Sequence, residues 1–143
     1  MKAARWLRWL LGLVFLVAGV LKLVHPGDFL VELAAYRVPF PGMLLRLVAV
    51  SLPWLEIICG VCLVLDRWPE SVRPLVTALC LVFVVMLGQA VVRGLDLQCG
   101  CFGRFGPAWL ERPDVALVRA LLLLAVSAWL TRHEGGAAGL SGR

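Results

Sequence analysis

Charge is scarce in this chain. Asp, Glu, Lys and Arg make up 16% of its residues, against about a quarter in soluble domains, and they fall mainly between apolar runs. That shortage excludes an ordinary water-soluble domain. Histidine is equally sparse. His25 and His133 stand alone, each reading as a loop or tail residue rather than a ligand. Two spaced Cys-x-x-Cys pairs are missing, which excludes the Cys-rich zinc modules. There is no repeat, no polar stretch of domain length and no low-complexity linker.

What is there is apolar. Hydrophobic residues account for 62% of the 143 positions, and the mean hydropathy is +0.93. This is the composition of a polytopic membrane protein whose length permits one compact domain. A net charge of +5 does not point to nucleic acid, because the arginines are scattered at the ends of apolar runs and form no stripe that could track phosphates. The partner that composition implies is the lipid bilayer.

A spanning helix needs about 20 mostly apolar residues. Four stretches meet or approach this: Trp6 to Val24, Leu44 to Leu65, Leu75 to Val92, and Val115 to Leu130. The predicted fold is therefore all-α, an integral membrane bundle of four transmembrane helices, with one domain over residues 1–132. The glycine-rich tail, 133–143, is expected to be disordered and cytoplasmic. Basic residues precede the first span as in a signal peptide, but no small-x-small cleavage site follows it, so this helix is expected to remain uncleaved.

Loop charge sets the expected orientation. The N-terminus, second loop and C-terminus together carry seven basic residues, and the first and third loops carry five. The positive-inside rule then places both termini in the cytoplasm and the third loop outside, in the periplasm if the membrane is a bacterial inner membrane. In the first loop, Pro26-Gly27-Asp28 leads into Phe29, Leu30, Leu33 and Tyr36, one face of a short helix that Pro39 and Pro41 terminate. Such a helix could lie in the membrane interface and cover the outer end of the bundle.

The third loop holds the most distinctive element, Cys99-Gly100-Cys101-Phe102-Gly103. A disulfide between thiols two residues apart closes a tight ring away from relaxed geometry, which suits exchange better than permanent stapling. The same two thiolates could instead hold a soft metal such as Cu(I) or mercury. Cys59, Cys62 and Cys80 lie inside spans. Cys59 and Cys62 are i and i+3 on one helical face. Cys59 and Cys80 each sit about 9 Å from the cytoplasmic end at 1.5 Å per residue. They could form a relay across the bilayer, a ladder of metal-binding steps, or simply small buried hydrophobes.

Charges inside spans are costly and are candidates for function. Lys22, Gln89 and Arg119 fall in the outer third and Glu56 a turn or two deeper, so all four are expected beneath the Cys-Gly-Cys loop. Lys22 and Arg119 there could favour a thiolate, and Glu56 could balance charge or pass a proton. A structural Glu56–Lys22 bridge that fixes helix order is the alternative. The six tryptophans lie mostly near span ends, as an interfacial belt requires. Gly12, Ala18 and Gly19 offer a small-residue face for close helix packing.

Together these residues resemble the MauE family of the DoxX-like four-helix membrane proteins. The resemblance rests on Phe15-Leu16-Val17-Ala18-Gly19-Val20-Leu21-Lys22-Leu23, the loop helix from Asp28 to Tyr36, Pro53-Trp54-Leu55-Glu56 and Cys99-Gly100-Cys101-Phe102-Gly103. It implies a role in methylamine utilisation alongside a periplasmic thioredoxin-like protein, with disulfides forming in the small subunit of methylamine dehydrogenase. By the same resemblance Cys99 and Cys101 are the family's paired cysteines, and Lys22 and Glu56 its intramembrane charges. Cys59 and Cys62 have no counterpart in that pattern. The activity implied is that of a thiol–disulfide oxidoreductase. A quinone acceptor would make it an oxidase, by analogy of architecture with the vitamin K epoxide reductase type of bundle. A soft-metal transporter and a non-catalytic assembly factor are the rival functions.

Overall fold

The computed structural model describes residues 2–95 and 112–138. Its regular structure among these residues is all helical: α1 (Lys2–Val24), α2 (Pro26–Ala35), α3 (Gly42–Leu65), α4 (Pro69–Val92) and α5 (Pro113–Ala138). Four helices are long and apolar enough to cross a membrane: α1, α3, α4 and the Pro113–His133 part of α5. At 1.5 Å per residue, even 21 residues reach about 31 Å, the thickness of a hydrocarbon core. The chain is an all-α, multi-pass membrane protein.

The helices run further than the apolar runs that announce them. α4 begins at Pro69, six residues before the predicted span, and carries Pro74 in its second turn. Pro69 is accommodated at the helix start because the first N–H groups have no intrahelical partner there, whereas Pro74 lies inside the helix and removes one backbone donor. Glu70 and Arg73 then extend the helix beyond its lipid-compatible core. α5 likewise continues to Ala138, past the predicted span end at Leu130.

α2 is the short helix expected in the first loop. Pro26 starts it, and its one buried side chain is Phe29. Its end is pinned to α4, since the Tyr36 carbonyl accepts hydrogen bonds from Gln89 Nε2 at 3.5 Å and Arg93 Nη1 at 3.4 Å.

Packing follows side-chain size. α1 and α3 form one close pair and α4 and α5 the other. In the first pair a Cβ added to Gly60 would lie 2.8 Å from the Gly12 carbonyl oxygen, and one added to Gly19 would lie 2.8 Å from the Pro53 oxygen. The backbones therefore touch where lipid offers no hydrophobic drive to press helices together. Between α4 and α5 the Thr77 and Thr131 hydroxyls meet at 3.2 Å.

The pairs join along α3–α4 and α1–α5. One core cluster gathers Leu11, Phe15, Leu63, Val76 and Leu130 with all three intramembrane cysteines. A smaller one holds Leu87, Ala116 and Ala120 near the α4–α5 connection. At the opposite end of the bundle Arg8 of α1 meets Asp66 at 2.7 Å, and Arg73 of α4 approaches the same carboxylate at 3.8 Å.

Candidate functional site

The buried polar centre is built on α1 and α3. Lys22 lies near the end of α1 and Glu56 near the middle of α3, and the Gly19–Pro53 approach described above brings their backbones together. Lys22 Nζ donates to Glu56 Oε1 at 2.6 Å, with each side chain 2% exposed. A lone charge in this setting costs several kcal/mol, of order 3–5 when one partner of a buried pair is removed. The ammonium also faces two aromatic rings, Phe29 of α2 at 5.1 Å and Phe83 of α4 at 4.8 Å from the ring centroids. One lysine thus touches four of the structure's constraints: α3 through a carboxylate, α2 and α4 through π faces, and its own helix.

A cavity of about 50 Å³ opens beside this pair, lined by Lys22, Glu56, Cys80, Phe83, Arg119 and apolar residues of α1, α4 and α5. That is room for more than one water molecule. Two cations, Lys22 and Arg119, and the Glu56 carboxylate line it, in surroundings where charge is weakly screened. The cavity lies toward the end of the bundle at which α4 finishes and α5 starts, since Leu87 and Ala116 also line it.

Of the four polar span residues expected to collect in one place, the structure brings Lys22, Glu56 and Arg119 to this cavity. Gln89 is drawn away to cap α2 through the Tyr36 carbonyl. Cys59, Cys62 and Cys80 are free, buried thiols within one apolar cluster, and Cys80 alone of the three also lines the cavity. Among the described residues no three His, Cys, Asp or Glu side chains are placed to hold a metal ion. Cys99 and Cys101 lie outside the described residues.

Two side chains near this centre are not among the residues expected from the sequence. Phe83 is one apolar residue among many in α4, and only the fold turns its ring to Lys22. Ser127 lies in α5 on the apolar cluster's side, 2% exposed, with its hydroxyl donating to the Leu124 carbonyl at 3.0 Å; its polarity inside a span was the available signal.

Comparison with known proteins agrees with this architecture. The family model described as "Methylamine utilisation protein MauE" matches residues 1–132. The chain belongs to the MauE family. Two relatives, each named methylamine utilization protein MauE, align with it. The protein from Paracoccus denitrificans is 36% identical over 97 residues, 67% of this chain and 52% of the relative. The one from Methylophilus methylotrophus is 31% identical over 120 residues, 82% of this chain and 62% of the relative. The alignment thus spans between half and two thirds of these MauE proteins' own length. No solved structure matches the chain. The MauE match includes α1 and α3 entire, and with them Lys22, Glu56 and the glycines that bring the two helices together.

Proposed function

We propose that this MauE-family chain is a thiol–disulfide exchange protein of a bacterial inner membrane, working with a periplasmic thioredoxin-like partner in the maturation of exported proteins, those of methylamine utilisation included. The observation that carries the reading is a juxtaposition. The Cys99-Gly100-Cys101 motif falls in the connection between α4 and α5, and the ends of those two helices frame the cavity that holds Lys22, Glu56 and Arg119. Both termini are assigned to the cytoplasm and the α4–α5 connection to the periplasm, as the distribution of basic residues favours.

In the exchange, a thiolate of the pair attacks one sulfur of the partner's disulfide. That S–S bond breaks and the partner's second sulfur leaves as a thiolate. The remaining cysteine then displaces the first partner sulfur, so that Cys99 and Cys101 close a disulfide and the partner is reduced by two electrons. Run in reverse, the same steps oxidise the partner. Lys22 is tied to Glu56, and the cationic side chains that line the cavity, Lys22 and Arg119, are what favour a nearby thiolate. Glu56, sharing a water-sized space with Cys80, is the group positioned to accept a proton.

The test is mass-tagging of thiols in intact spheroplasts with a membrane-impermeant maleimide, before and after mild reduction, followed by partner trapping. Cys99 and Cys101 are expected to react only after reduction, and the Cys101→Ser and Cys99→Ser variants to separate into one that accumulates a mixed disulfide and one that does not. Full activity of both variants would overturn the reading in favour of a non-catalytic assembly factor. Thiols that are labelled without reduction and are protected by Cu(I) would overturn it in favour of soft-metal handling.

A further inference from the structure

The end of the bundle that holds the Arg8–Asp66 contact leaves two cations without a carboxylate. Arg5 stands one turn before Arg8 on α1, and Arg67 follows Asp66 in the turn from α3 to α4; both are exposed. The Asp66 carboxylate is already engaged by Arg8 and Arg73. Glu70 is exposed in the first turn of α4, where the helix dipole favours it. Among the described residues Arg5 makes no ion pair, and Arg67 has only a ring contact, its Cζ 5.7 Å from the Trp68 centroid. Tryptophan collects at the same level: Trp6 and Trp68 are each 69% exposed, and Trp9 is exposed beside them. From Trp6 the outer face of α1 runs on through Leu10, Leu13 and Val17, all exposed and spaced by four, three and four residues, which is one line along a helix.

Three features define what fits. Guanidinium groups from two separate elements match the oxygens of a phosphate, which an arginine fork binds in pairs. Indole rings suit the zone between headgroup and hydrocarbon. The apolar line beyond them suits acyl chains. A soluble anion would use the arginines and gain nothing from the rest. A choline headgroup would bring its own cation among the arginines, where like charge is disfavoured. An anionic phospholipid answers all three, and it is the class that basic residues beside a span attract.

We infer that the outer face of α1, together with the α3–α4 turn, is a binding site for an anionic phospholipid. Its phosphate is held between Arg5 and Arg67, its glycerol region meets Trp6, Trp9 and Trp68, and a chain lies along Leu10, Leu13 and Val17. The Arg8–Asp66 contact is the fixed base of the site, because it holds the two elements that carry the arginines against each other. The site stands apart from the thiol-exchange reading and from the side of the membrane on which this end lies, and its test reads binding alone.

The experiment uses the full chain in a neutral detergent, titrated separately with phosphatidylglycerol, with phosphatidylcholine of the same chains and with inorganic phosphate. Native mass spectrometry reads retained lipid, and thermal unfolding reads stabilisation. Phosphatidylglycerol is expected to stay bound and to raise the unfolding temperature, as a ligand of the folded state does, and the other two are expected to do neither. The Arg5→Gln/Arg67→Gln variant changes two exposed side chains, so it is expected to unfold at the wild-type temperature without lipid. Its affinity for phosphatidylglycerol is expected to fall roughly tenfold or more. Arg46→Gln removes an exposed cation near the start of α3, at the opposite end of the bundle, and is expected to leave binding unchanged. Equal retention of phosphatidylcholine would reduce the effect to ordinary solvation by lipid and overturn the site. Equal stabilisation by inorganic phosphate would overturn the lipid in favour of a soluble anion. An equal loss in Arg46→Gln would show that total charge, not this site, draws the lipid.

Discussion

Lys22 and Glu56 are 34 residues apart in the chain and 2.6 Å apart in the fold, each side chain 2% exposed. Their pairing ties the end of α1 to the middle of α3. Because Phe29 and Phe83 flank the same ammonium, it also fixes α2 and α4 against that pair.

Breaking the tie from one side is expected to be worse than removing it. Lys22→Met or Glu56→Leu alone leaves a buried charge and should cost about 3–5 kcal/mol. The double variant replaces both with apolar side chains of similar volume and should recover a large part of that loss. Thermal unfolding of the four proteins in one detergent gives the cycle. Losses that simply add would mean that the two residues do not interact as the structure places them.

The α1–α3 contact makes a second, sharper contrast among glycines. A Cβ at Gly60 meets the Gly12 oxygen, Leu16 Cγ and Leu16 N at 2.8–2.9 Å, whereas one at Gly88 meets nothing within 4 Å. Gly60→Ala should therefore push two backbones apart and destabilise by about 1–3 kcal/mol. Gly88→Ala should be neutral or stabilise by up to about 1 kcal/mol, through helix propensity alone. Equal effects in a thermal-shift comparison would contradict the close approach.

The four spans and the loop helix were legible because lipid imposes a coarse code. A run of apolar residues of the right length is a span, and Pro26 and Asp28 mark a helix start without ambiguity. The extents were less legible, since Pro69, Glu70 and Pro74 read as loop yet form the first turns of α4. Depth along the helices was enough to bring Lys22, Glu56 and Arg119 to one level. It could not say which way Gln89 points, because rotation about a helix axis depends on neighbours that the local sequence does not name. The same applies to Phe83, whose place beside the ammonium is set by how α4 packs on α1. Gly60 is a lone glycine on its stretch of α3, and its role shows only when Gly12 of α1 is brought against it.

At the other end of the bundle, Asp66 has two tasks. Its carboxylate meets Arg8 and Arg73, and its backbone ends α3 in the left-handed region, at φ 54°. Asn tolerates that conformation as Asp does, so Asp66→Asn loses only charge. Asp66 is 49% exposed but Arg8 only 10% and Arg73 13%, so that loss should exceed the roughly 1 kcal/mol typical of exposed pairs and stay below the 3–5 kcal/mol or so of a fully buried one. Asp66→Val adds a β-branched residue at positive φ and should cost a further 1–3 kcal/mol or so. Equal unfolding temperatures for the two variants would remove the backbone's share of the argument.

The intramembrane thiols give the last contrast. Cys59, Cys62 and Cys80 are all buried and free, but Cys80 alone borders the central cavity. Reaction with a maleimide needs both a path and a thiolate. With Cys99 and Cys101 replaced by serine, the folded protein should resist a bulky maleimide at all three positions and take up three labels once denatured. A small, membrane-permeant alkylating agent should discriminate, modifying Cys80 ahead of Cys59 and Cys62 because Cys80 is the one of the three that lines the central cavity. Phe83→Ala enlarges that space and should speed labelling of Cys80 while leaving the other two unchanged. Uniform rates at the three cysteines, or a Phe83→Ala effect spread equally over them, would show that labelling follows global unfolding rather than the cavity. Mass spectrometry of the labelled peptides over time reads all three positions in one experiment.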